Sequence, residues 1–365
     1  MNRRDFIRGV SASAASMALA QGAHGCRSSA VPAFAEGAED MGPILTDSEI
    51  CRSPALAGKR KCSYFCDDAI WALRDVTRHA QRSLFDHPFF SVLRECHEKY
   101  GLTAQINLFY RTDFFYGMDE FTLADVTDAY REEFRANADW LKFGFHSLQE
   151  FPDYPWINAN YGDVKKLFEM IRSEVVRFAG EESFAYACVP HWCPMSKDGV
   201  RALKDCGIRV MECSVGPRYR YDGRAERLPY GHAFRLMQNR KKEVGFYWRE
   251  SRNTAISASI CSYNHMSEAA QTALSFGYVH DRVTGMNFKH MFCDAPCLNL
   301  CTLETLRADI GKILGKEYLI FSNHEQYFFR DYLAYQPDYS DKIRLMCRMM
   351  RENGYTFIQM EDVVA

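Results

Sequence analysis

No stretch of 18 apolar residues occurs anywhere in the 365-residue sequence, which excludes a polytopic membrane protein. Neither sign of charge dominates: 45 Lys and Arg stand against 47 Asp and Glu, for a net charge of −2. Such a chain has no basic excess to recruit nucleic acid and no acidic excess to act as a solvating tail. There is no internal repeat and no low-complexity tract past the N-terminal leader. Hydrophobic residues make up 47% and charged residues 25%, so long disorder, collagen and a pure coiled coil are excluded too. The length allows roughly two domains at about 150 residues each, or one α/β barrel using all of it.

What is present begins with an address. Arg3 and Arg4, then Asp5, Phe6 and Ile7, read as a twin-arginine export signal, followed by a mild Ala- and Ser-rich stretch from Gly9 to Ala23. The signal and its linker are assigned to residues 1–35. Ala33-Phe34-Ala35 and Ala18-Leu19-Ala20 both offer small-x-small cleavage sites, and Gly25-Cys26 leaves open a lipid anchor at Cys26. The expected location is extracytoplasmic (periplasmic, cell-surface or secreted) in a bacterium, with the twin-arginine machinery as a partner. Export permits disulfides. The 14 cysteines include a Cys293, Cys297, Cys301 run that matches no common zinc or iron–sulfur spacing. Disulfides plus buried thiols are the reading preferred over a metal cluster.

From residue 60 the sequence alternates short apolar runs with helical patterns. Strands are expected at 61–66, 103–110, 141–145, 184–189, 208–213, 318–322 and 355–360. Helices are expected at 69–79, 89–100, from Thr122 to about Asp139, and at 163–178, 196–206, 302–314 and 339–353. This β-α-β-α order implies parallel strands with right-handed crossovers. A (β/α) barrel of about seven parallel strands fits it, as a single domain over residues 60–365. The stretch 216–301, with Pro217, Pro229 and the basic Arg240-Lys241-Lys242, breaks the alternation and reads as an insertion over the barrel mouth.

In such a barrel the chemistry lies where strands end. The first strand ends in Asp67-Asp68, two carboxylates that need a cation or a shared proton, or that form a turn with Asp68 as helix N-cap. The third ends in His146, with Glu150 four residues on, a spacing that suits two ligands of one metal. The late strand ends in His324-Glu325, and Pro190-His191-Trp192 between them makes a rigid aromatic wall.

In that order, Phe65 to Asp68, His146-Ser147, Pro190-x-Trp192 and His324 resemble the motifs of the polysaccharide deacetylase family: Phe-Asp-Asp-Gly, His-Ser-x-x-His, Arg-x-Pro-aromatic and a late His. The resemblance covers roughly residues 60–215 and 302–362. It departs from the family where Cys66 precedes the Asp pair, where Ala69 replaces Gly, where Glu150 replaces the second metal His, and where Cys188 replaces the Arg that pairs with the base.

The resemblance implies a TIM-like fold and a hydrolase of amide-linked acetyl groups on carbohydrate. One divalent metal ion, zinc by the family's habit, would be held by Asp68, His146 and Glu150. Metal-held water would attack the acyl carbonyl, with Asp67 as base and His324 as acid. Trp192, Pro190, His191 and Glu325 would bind substrate, and Trp156 or Tyr154 could add a stacking face. Three competitors remain: a metal-independent glycoside hydrolase using Asp68, Glu150 or Glu325, an inactive carbohydrate-binding relative, and an exported metal or redox protein built on the Cys293–Cys301 run.

Overall fold

The computed structural model describes residues 60–112, 120–151, 155–156, 158–192, 195–213, 278–281, 283–290, 295–332 and 334–364. The export signal, Cys26, Tyr154 and the basic stretch at 240–242 lie outside them.

Nine strands occur among the described residues: β1 (Lys61–Ala69), β2 (Ala104–Phe109), β3 (Leu141–Ser147), β4 (Ala187–Cys188), β5 (Val210–Cys213), β6 (Tyr278–Asp281), β7 (Met286–His290), β8 (Tyr318–His324) and β9 (Thr356–Phe357). Seven α-helices alternate with them: α1 (Trp71–His79), α2 (Pro88–Tyr100), α3 (Arg131–Ala136), α4 (Tyr161–Phe178), α5 (Lys197–Asp205), α6 (Leu303–Ile313) and α7 (Tyr339–Glu352). None of the described helices is long and apolar enough to cross a membrane.

The strands form two sheets. One runs β3-β2-β1-β8 with β9 also on β1, and every pairing is parallel. The other runs β4-β5-β7-β6, parallel except where β6 meets β7. The α/β class and the parallel crossovers follow the alternation in the sequence. Among the described residues the ladders form two sheets and do not join into a single ring. A parallel bridge from Phe143 to Phe184 carries the edge of the first sheet toward β4. β6 and β7 fall inside the 216–301 stretch, and β7 extends the second sheet by pairing with β5.

Burial explains the near-continuous apolar strands. β2 is buried at every position, as expected of a parallel strand covered on both faces. Helices pack a large aromatic core against the outer face. Inside, Phe65 of β1 and Ile320 of β8 share a small cluster with Ala187 and Val189 around β4 and Val210 of β5. Met360 and Val363 near the C-terminus join the same cluster. The two sheets therefore face one shared interior.

One helix falls well short of expectation. Thr122 does cap, but its capping box with Asp125 closes on a single 3₁₀ turn, and Val126 then returns to extended backbone. The helix restarts only at α3, six residues long. Capping chemistry starts a turn; it does not oblige the chain to propagate it. The thiol half of the cysteine reading holds among the described residues. Cys62, Cys66, Cys96, Cys188, Cys206, Cys297, Cys301 and Cys347 are all free, and all but Cys206 are buried.

Candidate metal and acid–base site

The site is assembled at the C-terminal ends of β1, β3 and β8 and in the turn after β4. In a regular strand Asp67 and Asp68 would point to opposite faces. By parity Asp67 shares the inner face of Phe65, and Asp68 shares the helix side with Cys66. Two local features break that parity. The β1–β2 register shifts between Cys66 and Ala69, and Asp68 takes a left-handed backbone at φ 61°. A non-glycine residue there is strained, and such strain concentrates at functional positions. The result brings both carboxylates to His146: Asp68 Oδ1 lies 3.0 Å from Nε2, and Asp67 Oδ1 lies 3.8 Å from Nδ1.

His191 completes the group. Its Nδ1 lies 3.2 Å from Asp68 Oδ1 and 3.1 Å from His146 Nε2. Asp68, His146 and His191 are all buried and form a group that could hold a metal ion. Each imidazole has its other nitrogen on a backbone carbonyl: His146 Nδ1 at Val189 O, 2.6 Å, and His191 Nε2 at Glu150 O, 2.9 Å. A carbonyl only accepts, so those nitrogens carry the protons. The nitrogens facing Asp68 are then bare. Two nitrogen lone pairs and a carboxylate oxygen meet in a triangle with edges of 3.0, 3.1 and 3.2 Å, with no donor among them.

Ligand atoms bonded at about 2.1 Å, with bond angles between roughly 90° and 109°, stand roughly 3.0–3.4 Å apart. The observed edges fall in that range. Backbone carbonyls that fix imidazole tautomers are the usual outer partners of metal-binding histidines. Burial lowers His146 and favours its neutral form, against the pull of Asp68.

Glu150, expected as the third ligand, is not in the group. Its carboxylate Oε2 accepts from Gln326 Nε2 at 2.7 Å, while its backbone carbonyl anchors His191. In its place the group contains His191, from a different loop after β4. Phe109 packs against both imidazoles, with ring centroids 5.4 and 5.0 Å away.

Asp67 sits beside this group as a separate carboxyl. Burial and the neighbouring Asp68 push it well above the carboxylate range, and Asn107 Nδ2, donating at 2.7 Å, pulls it back. Asn107 is in turn held through Oδ1 by Gln105 Nε2 at 2.7 Å, and Gln105 also donates to Ala187 O. A neutral amide therefore stands on Asp67, where the resembled family pattern has Arg. Cys188, at the Arg position in sequence, points its thiol toward Phe145 O instead. Gly144 on β3 makes room for this relay, since a Cβ there would lie 2.4 Å from Asn107 Oδ1 and 2.7 Å from Gln105 Nε2.

His324 is the register partner of Asp67 on β8. Its Nδ1 lies 2.9 Å from Asn299 Oδ1, which makes Nδ1 the donor and leaves Nε2 as acceptor. Burial pushes its pKa down to about 4. Trp192 is half-buried at a left-handed φ of 62°, its ring 5.6 Å from that of His191, and Pro190 is buried behind them. Trp156 is no free stacking face: it is buried, and its indole N–H donates to His146 O at 3.1 Å.

Glu325 also needs reassignment. Both its carboxylate oxygens accept backbone N–H groups at the start of α1. Burial pushes its pKa up to about 7 against the pull of those three donors.

Neither Asn107 nor Gln105 stands out in the sequence reading. The signal was there: two amides at alternate positions of an otherwise apolar strand must face the same side and find buried partners.

No protein-family model matches the chain, and no match was found among curated proteins. Among solved structures the chain is similar to a 4-alpha-glucanotransferase from Thermococcus litoralis, at 10% identity and a TM-score of 0.44, over 84% of this chain and 40% of that one. It is also similar to Agd3, a carbohydrate deacetylase, at 11% identity and a TM-score of 0.39, over 84% of this chain and 53% of that one. The chain thus spans about half the length of these structures or less. Likeness at this level assigns neither family nor activity, so the chemistry rests on the side chains around Asp68.

Proposed function

We propose that the chain is a metal-dependent hydrolase that removes acyl groups, acetyl above all, from amide nitrogen on a carbohydrate. The observation that carries this reading is the triangle of acceptor atoms from Asp68, His146 and His191, which has no proton donor inside it. Two imidazoles and one carboxylate suit zinc and leave a further position for a reactant. A divalent ion bound there supplies a Lewis acid for an acyl carbonyl and makes water more acidic.

The protein's own groups divide the rest of the work. Asp67, made more basic by burial beside Asp68 and oriented by Asn107, takes the proton of the attacking water. His324, on the adjacent strand and held in one tautomer by Asn299, would accept at Nε2 the proton that Asp67 takes from the water and pass it to the departing amine. Trp192 lines the approach for a sugar ring. The glycosidase reading loses support, because Glu325 and Glu150 are both engaged by other donors. The twin-arginine leader supports export, so the substrate would be met outside the cytoplasm.

The test uses purified full-length protein, acetylated chito-oligosaccharides and an assay for released acetate. Zinc-loaded protein should release acetate, a chelator should stop it, and added zinc should restore it. Release that survives complete metal removal, or no release by fully loaded protein across acylated sugars, sinks the proposal.

A further inference from the structure

Glu325 directly follows His324, yet its side chain serves another element. Oε2 accepts from the backbone N–H of Ile70 at 2.8 Å and of Trp71 at 2.7 Å, and Oε1 accepts from Ala72 at 3.0 Å. These donors open α1, where the first N–H groups have no acceptor within the helix. The helix supplies no cap of its own: Ile70 is at the N-cap with no side-chain bond, and the first turn holds no acidic residue. The missing cap comes from a carboxylate about 255 positions away in sequence and only 1% exposed. A buried carboxylate of this kind is tolerated only where charge-assisted bonds replace its water.

The place of that cap is what matters. α1 starts immediately after Asp67, Asp68 and Ala69. The β1–β8 ladder ends at the Asp67–His324 pair and fixes the chain on one side of Asp68. Glu325 fixes it on the other side, from Ile70 onward. Asp68, between the two anchors, is the residue in the left-handed conformation. Released from either anchor, a non-glycine residue relaxes toward right-handed or extended backbone, and its carboxylate turns away.

We propose that Glu325 is a positioning residue. It locks the strand-to-helix turn so that Asp68 keeps its strained backbone and delivers its carboxylate to His146 and His191. It touches neither substrate nor metal. The inference rests on the metal-site reading above and gives β8 a second role: one residue for proton relay, the next to hold the opposite strand's ligand in place.

The experiment compares full-length parent, Glu325→Gln and Glu325→Asp by zinc titration calorimetry on apo protein, and by hydrogen exchange of peptides spanning residues 67–73. Gln replaces one acceptor oxygen with a donor facing N–H groups, whereas Asp keeps the charge on a shorter arm. Expected for Glu325→Gln are at least about tenfold weaker zinc binding, the range seen for outer-shell partners, and faster exchange at residues 70–72. Glu325→Asp should recover part of both.

Parent-like zinc affinity in folded Glu325→Gln overturns the positioning role, whether or not exchange quickens, because a mere helix cap would change only stability. If Glu325→Gln does not fold, Glu325→Asp decides by the same criteria. If the parent itself takes up no zinc, the metal reading fails separately. The Asp68 backbone in a crystal structure of Glu325→Asp or Glu325→Gln then decides: a retained left-handed turn overturns the proposal, and a relaxed one supports it.

Discussion

Asp68 and Glu325 are both buried carboxylates at the ends of neighbouring strands, 5% and 1% exposed, and they meet opposite surroundings. Glu325 faces three backbone N–H groups and is satisfied by the protein alone. Asp68 faces two imidazole nitrogens whose protons are committed elsewhere. The same functional group is a helix cap in one place and part of a group that could hold a metal ion in the other. What separates them is the direction of the dipoles around them, because burial is nearly equal.

The sharpest way to break the comparison is to remove an imidazole. His146→Ala and His191→Ala should each abolish zinc retention, measured by metal analysis after gel filtration. The loss should exceed the roughly 10–100-fold effect of outer-shell changes. Retention of zinc by His191→Ala at the parent level would show that the geometry was misread. Next in size, Asp67→Asn should keep its zinc and lose about 10²–10⁴-fold in turnover, the usual worth of a positioned base. Loss of metal together with activity would move Asp67 into the ligand set.

Acid should separate the regions further. The folded pKa of His324 lies near 4, below the ordinary histidine value of about 6.5. Between these values the unfolded chain binds more protons than the folded one, so stability is full above about pH 6.5 and falls as the pH drops through 4. The loss should amount to up to about 3 kcal/mol, and His324→Gln should remove that part of the acid sensitivity in urea titrations. An unchanged pH profile in the variant would refute the buried, neutral imidazole.

Gly144→Ala comes next. Its new Cβ collides with the Asn107 and Gln105 amides, with an expected loss of about 1–3 kcal/mol from overpacking and a slower Asp67. A smaller effect separates structure from sequence motif: Glu150→Gln should shift zinc affinity only a few-fold, because the carboxylate is not in the triangle and its backbone carbonyl survives. A large loss of zinc there would restore Glu150 as a ligand.

Much of the scaffold was legible. The apolar runs at 61–66, 141–145 and 318–322 became strands within a few residues of their expected ends. Gly101 stops α2 in the left-handed conformation its sequence position implied. Asp67, Asp68 and His146 do come together, as the strand-end argument expected. The helix expected from Thr122 stops after one turn, because local capping says nothing of whether tertiary contacts will reward another. His191, expected in the substrate wall, instead joins Asp68 and His146, because one-dimensional spacing groups side chains that share a loop and misses those that arrive from another. Glu325 was placed in the cleft because it follows His324, although neighbours at a strand end point different ways.

The sequence by itself determined the periodicity, and with it the α/β class, the parallel strands and the set of titratable groups at their ends, since alternation and burial are local consequences of side-chain chemistry. Tertiary structure alone decided which of those groups meet. The bulge at Asp68, the helix cap from Glu325 and the turn that brings His191 to His146 each depend on segments separated by tens to hundreds of residues. Whether a buried carboxylate faces N–H groups or lone pairs is fixed only when those segments have packed.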